Sequence, residues 1–175
     1  LVAKGCFKVG LYKQGLLHDM SKYSPTEFWV GAKYYQGTRS PNNAEREDIG
    51  YSSAWLHHKG RNKHHYEYWI DYSMQALPGG MAPVPMPDKY IAEMIMDRIA
   101  ASKVYMGGEY MDRSPLDYYY QGTDRAPIHP ETKAKLLYVL EMLAEEGEEK
   151  TFRFIKKELV QQKRCMDWHQ LKKAE

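Results

Sequence analysis

Cysteine is scarce. Only Cys6 and Cys165 occur in 175 residues, far apart and outside any CxxC spacing. A disulfide framework is excluded, and a reducing, cytoplasmic setting is the simpler expectation. Long apolar runs are also missing. No stretch approaches the roughly 18 apolar residues of a membrane-spanning helix, and no charged-then-apolar signal segment opens the chain. Neither charge sign dominates: 25 Lys and Arg face 23 Asp and Glu, for a formal charge of +2. No whole-molecule field therefore draws nucleic acid or an anionic membrane, and no strong nucleic-acid signal is present. There is no internal repeat, no low-complexity tract and no alternating run long enough to demand a sheet. An all-α fold is expected.

The residues that are present suit a packed protein. A chain of this length fits one domain, or one domain with an appendage, and buries roughly 70% of its unfolded surface. Tyrosine is unusually common, 15 against 4 Phe, which suggests rings packed inward with hydroxyls at a wet edge. The 10 methionines read as adaptable core filler. Charge is placed unevenly. Residues 56–65 (LHHKGRNKHH) hold three cations and four histidines with no acid, a patch that would attract phosphate.

Apolar spacing predicts a helix over 1–20, interrupted by Gly5, Gly10 and Gly15, with His18 and Asp19 at its C-terminal end. Small residues there would let another helix approach closely. Ser24-Pro25-Thr26-Glu27 predicts an N-cap and capping box opening a helix over about 25–35. Loop 36–43 precedes a third predicted helix, about 43–59, which Gly60 ends. A fourth starts near Asn62 or Lys63 and runs through Tyr66, Trp69 and Ile70. Residues 78–88, with four prolines, read as a loop or lid over a pocket. Helices then follow over 88–106, with Asp97 in mid-course, over 130–146, and over 148–170, with short helical pieces between 107 and 129. Tyr118-Tyr119-Tyr120 would rim a pocket or a contact between copies, and the last helix, through Trp168, could pair with another copy in a homo-oligomer.

Five of the seven histidines lie in three spots: His18 beside Asp19, His57-His58, and His64-His65. Imidazole with carboxylate suits borderline divalent metals. His57 and His58 point about 100° apart on a helix, so both serve one site only near its edge or as ligands to two ions. The short turn through Gly60 and Asn62 would fold His64 or His65 back toward the same place. Asp97, between Met96 and Arg98 on an apolar helix, is costly unless paired.

His18-Asp19-x-x-Lys22 resembles the HDxxK signature of the HD-domain superfamily. The stretch from HDMSKYSPTEF (18–28) through SPNN and WLHHKGRNKHHYEYW (55–69) to the Asp97 helix is similar to a family of uncharacterised bacterial and phage proteins, DUF5662. The resemblance implies an HD-like helical bundle over 1–125, with residues 126–175 as a C-terminal helical extension packed on it. It implies one or two divalent transition-metal ions (Mn, Fe, Zn, Co or Ni) held by His18, Asp19, His57, His58 and Asp97. Asp19 would bridge two ions, and Lys22 would touch substrate phosphate. The superfamily pattern carries an earlier histidine, and residues 1–17 hold none. That ligand is expected either upstream of Leu1 or from His64 or His65.

The expected activity is metal-dependent hydrolysis of a phosphoester, in a nucleotide or another small phosphorylated molecule. A bound ion would generate the nucleophile and neutralise building charge. Lys22, Arg61 and Lys63 would hold phosphate, His64 or His65 would protonate the leaving alcohol, and Asn62 would orient the substrate. Two rivals stand beside it: a di-iron oxygenase on the same scaffold, and a non-catalytic domain that binds a nucleotide or a partner.

Overall fold

The computed structural model describes residues 1–37, 39–74, 80–122 and 125–161. It is mainly helical. The predicted first helix is two: α1 (Val2–Val9) and α2 (Tyr12–Leu17), folded against each other. Gly10 makes the break. It lies in the left-handed region at φ 89°, and the amides of Gly10 and Leu11 return to the Phe7 and Cys6 carbonyls. At Gly15 a Cβ would stand 2.8 Å from the Phe7 ring and 2.9 Å from Cys6 Cβ, so glycine is what lets α2 close on α1.

Helix α3 (Pro25–Lys33) starts where predicted, with Ser24 Oγ accepting from the Glu27 amide at 3.4 Å. The predicted third helix is again two, α4 (Pro41–Ile49) and α5 (Ser53–Lys59), separated at Gly50 with φ 84°. Ser52 caps α5 through the Trp55 amide, and Glu45 reaches from α4 to the hydroxyls of Ser52 and Ser53, both at 2.6 Å.

The predicted fourth helix does not form. Tyr66–Trp69 is one turn of 3₁₀-helix and Ile70–Tyr72 is a short strand, β1, paired antiparallel with β2 (Met81–Pro83), Ile70 opposite Pro83. The physical reason is the Lys63 carbonyl. In a continuing α-helix it would accept from the Glu67 amide, and here it accepts from the Trp69 indole at 2.7 Å. The expected lid is correspondingly the second arm of this hairpin from residue 81, pinned where the Met86 amide donates to Thr132 Oγ1. Pro78 and Gly79 fall outside the described residues.

Helix α6 (Asp88–Met106) matches its predicted span and is buried along much of its length. It packs on α1, α7 (Ser114–Tyr120) and α8 (Pro130–Phe154). Helix α8 combines two predicted helices across a kink at Gly147 and continues as a π-helical turn over Ile155–Val160. The rest of the predicted last helix, Trp168 included, and Cys165 lie outside the described residues. The core gathers Cys6 and Val9, Ile91, Ile95 and Ile99, Leu116, Leu136, Leu140 and Leu143, Ile155 and Leu159. Tyr119 lies in this core while Tyr118 and Tyr120 are exposed, which splits the tyrosine run expected at a rim. Among the described residues, no helix is long and apolar enough to cross a membrane.

Candidate metal centre

Four segments meet beside the core. The turn after α2 brings His18, Asp19, Ser21 and Lys22, and α3 brings Glu27. Helix α5 and the turn behind it bring His57, His58, Asn62, His64 and His65, and α6 brings Glu93 and Asp97. The last two are four residues apart and so share one face of α6.

Backbone geometry aims the key carboxylate. His18 ends α2 in an extended conformation, and Asp19 follows with φ 56°, the one non-glycine residue with positive φ among the described residues. Such a conformation costs roughly 1 kcal/mol and is tolerated best by Asp and Asn. It turns the Asp19 side chain into the cluster. Opposite, the Asn62 amide group donates to the His58 carbonyl at 2.9 Å and to Ser21 Oγ at 2.7 Å. That closes the turn which carries His64 and His65 back over His58.

Asp19 is the hub. Its Oδ1 lies 3.2 Å from His58 Nε2 and 3.4 Å from His64 Nε2. Its Oδ2 lies 3.4 Å from His18 Nε2 and 2.6 Å from Lys22 Nζ. His18 Nε2 is also 3.4 Å from Asp97 Oδ1, and His58 Nε2 is 2.9 Å from His65 Nε2. Three of these atoms, His18 Nε2, Asp19 Oδ1 and His64 Nε2, are buried without a hydrogen-bond partner. Buried polar atoms are rarely left so, because each forfeits the hydration it had in the unfolded chain.

The spacing fits a cation. Ligand atoms about 2.0–2.2 Å from one ion stand roughly 2.9–3.5 Å apart at angles between square and tetrahedral. Two overlapping groups come near this, with one ligand atom per residue within 4.8 Å of the others: Asp19 with His58, His64 and His65, and His18 with His64 and Asp97. Charge points the same way. Asp19, Glu27, Glu93 and Asp97 set four carboxylates against one lysine, an excess that must be neutralised where water is thin.

The imidazoles can carry part of the compensating charge. Burial would lower His18, but the carboxylates of Asp97, Glu93 and Asp19 outweigh it and push its pKa up to about 9. Burial would raise Asp19, and the facing His58 ring with the Lys22 and His18 charges hold it far below the usual carboxylate range. His65 goes the other way: burial, then the neighbouring His64 and His58, push it down to about 2.

The structure places the sequence-predicted residues as follows. His18, Asp19, His58, His64, His65 and Asp97 converge, with Lys22 on Asp19. His57 does not join the ligand set. Successive residues on α5 diverge, and its Nδ1 sits 2.6 Å from Glu27 Oε1. Asn62 was expected to orient substrate, but both its amide hydrogens are committed to the turn. His64 or His65 was expected as a proton donor; His65, pushed down to about 2, carries no imidazolium proton at neutral pH. Arg61 bonds the His57 carbonyl at 3.3 Å, and Lys63 lies over the Tyr68 and Tyr90 rings at 5.5 and 6.0 Å.

Sequence reasoning missed Glu27, Glu93 and Ser21. Glu93 had a signal, its i, i+4 relation to Asp97. Glu27 had none, because it reads as a capping-box residue. Its amide does bond Ser24, but its carboxylate goes to His57 and His58.

Comparison with known proteins defines a class without an assigned role. The chain belongs to the Family of unknown function (DUF5662), which matches residues 1–142. No curated protein and no solved structure matches it.

Proposed function

We propose that this protein is a metal-dependent phosphohydrolase whose centre is built by His18, Asp19, His58, His64, His65 and Asp97. The carrying observation is that three buried atoms without a hydrogen-bond partner gather at Asp19: its own Oδ1, His64 Nε2 at 3.4 Å from that oxygen, and His18 Nε2 at 3.4 Å from Asp19 Oδ2. The likeness of His18-Asp19-x-x-Lys22 to the HD superfamily supports the same reading, with His64 and His65 in place of that pattern's earlier histidine.

A divalent ion, when bound, supplies Lewis acidity and a nucleophile at neutral pH. The chain does the rest. The Asp19 carboxylate, 2.6 Å away, raises the pKa of the exposed Lys22 ammonium and keeps it protonated. Lys22 is therefore a fixed positive charge for phosphoryl oxygens, not a base. The two oxygens of Asp19 face different histidines, so the carboxylate can serve two ion positions.

The test is elemental analysis of tag-free protein purified without added metal, beside Asp19→Ala, followed by phosphate release from a panel of phosphomonoesters, phosphodiesters and nucleotides. About one or two transition-metal ions per chain are expected, lost in the variant together with turnover. No metal in either sample and none on soaking overturns the proposal. An iron pair with dioxygen uptake and no phosphate release replaces hydrolysis with oxidation.

A further inference from the structure

Two carboxylates of the cluster face away from its centre, and each holds two imidazoles by the same ring atom. Glu93 Oε1 lies 3.1 Å from His18 Nδ1 and 3.3 Å from His64 Nδ1. Glu27 Oε2 lies 2.8 Å from His58 Nδ1, and its Oε1 lies 2.6 Å from His57 Nδ1. Both glutamates are buried, at 5% and 6% exposure, so neither is a solvated surface acid.

A carboxylate accepts and does not donate, so each Nδ1 must carry the proton. The Asn62 amide nitrogen, 3.1 Å from His58 Nδ1, does not compete, since its two hydrogens go to Ser21 Oγ and the His58 carbonyl. With the proton held on Nδ1, the neutral form of each ring has its lone pair on Nε2. Those are the atoms of His18, His58 and His64 that turn inward to Asp19.

Resting on the metal reading above, we infer that Glu27 and Glu93 are the positioning residues of the centre. Glu93 sets the tautomer and aim of His18 and His64, Glu27 does so for His58, and His57 acts through Glu27 from one layer further out. This gives the second histidine of the His57-His58 pair a role without contact to the ion. It also explains why a glutamate at a capping-box position is buried. Outer carboxylates of this kind fix ligand orientation and raise ligand basicity, and losing one costs about 10–100-fold in metal affinity.

The experiment is Co(II) titration of the metal-free full chain against a competing chromophoric chelator, with the visible spectrum of bound Co(II) as a second readout. Glu93→Ala and Glu27→Ala are expected to bind about 10–100-fold more weakly, with an altered spectrum. Glu93→Gln and Glu27→Gln keep an acceptor but lose the charge, and are expected to fall between these and wild type. His57→Ala is expected to weaken binding less than Glu27→Ala, and to add nothing in the Glu27→Ala background. Should the alanine variants fail to fold, the glutamine variants decide. Variants that fold and bind Co(II) with wild-type affinity and spectrum overturn the inference. Wild-type protein that takes up no Co(II) overturns the metal centre itself, so the two failures are distinct.

Discussion

Glu45 shows how a single residue is held in a charged state inside the fold. It is 2% exposed, and burial alone would raise its carboxyl. Bonds from Ser52, Ser53 and the Ala54 amide outweigh burial and hold it below its ordinary value. The folded chain thus binds that proton less readily than the unfolded chain. The stabilisation is complete above the ordinary carboxylate pKa of about 4.3 and is lost as pH falls through the lower folded value. Glu45→Ala is expected to cost about 1–3 kcal/mol at neutral pH, because two serine hydroxyls lose their acceptor. In urea melts across pH 3–7 the variant should show a shallower acid loss than wild type. Parallel curves would show that Glu45 is not a source of the acid sensitivity.

At the scale of elements, small residues and caps decide where helices stop. Gly10 and Gly50 turn two predicted helices into four, and Ser52 restarts the chain as α5. Close contact matters as much as turning. Gly15→Ala would gain up to about 1 kcal/mol of helix propensity. Its new methyl, however, would stand 2.9 Å from Cys6 Cβ, which the short α1–α2 pair cannot easily relieve. Overpacking costs about 1–3 kcal/mol, so a net loss is expected. Because α2 delivers His18 and Asp19, metal affinity should fall with the melting temperature. A variant that melts higher than wild type would show that α2 has room to move away from α1.

For the whole molecule, an ion at the proposed centre would tie the α2 turn, the α5 region and α6, which are distant in sequence. A ligand that binds only the folded state at 100 times its Kd stabilises by about 2.7 kcal/mol. For a protein of this size that is a rise in Tm of roughly 5–10 °C. Metal-loaded protein is expected to melt higher than chelator-treated protein by that amount, and Asp19→Ala to lose the difference. A Tm indifferent to metal would mean that the centre closes without an ion.

Helix α6 was legible to its ends, because an apolar period of 3.6 and a Pro before Asp88 are local signals. The start of α3 was legible in the same way, from Ser24 and Pro25. So were the residue types of the centre: a His-Asp pair, two His-His pairs and one mid-helix Asp already suggest a metal. The sequence could not say that His58 and not His57 turns inward, nor that both His64 and His65 do, nor that Glu27 and Glu93 stand behind them. Those facts depend on how α3, α5 and the α2 turn are set against α6. Helical period and capping act over a few residues and are written locally. The convergence of residues 18, 58, 64 and 97 is set by the sum of many weak packing contacts between helices, and only the folded chain adds them up.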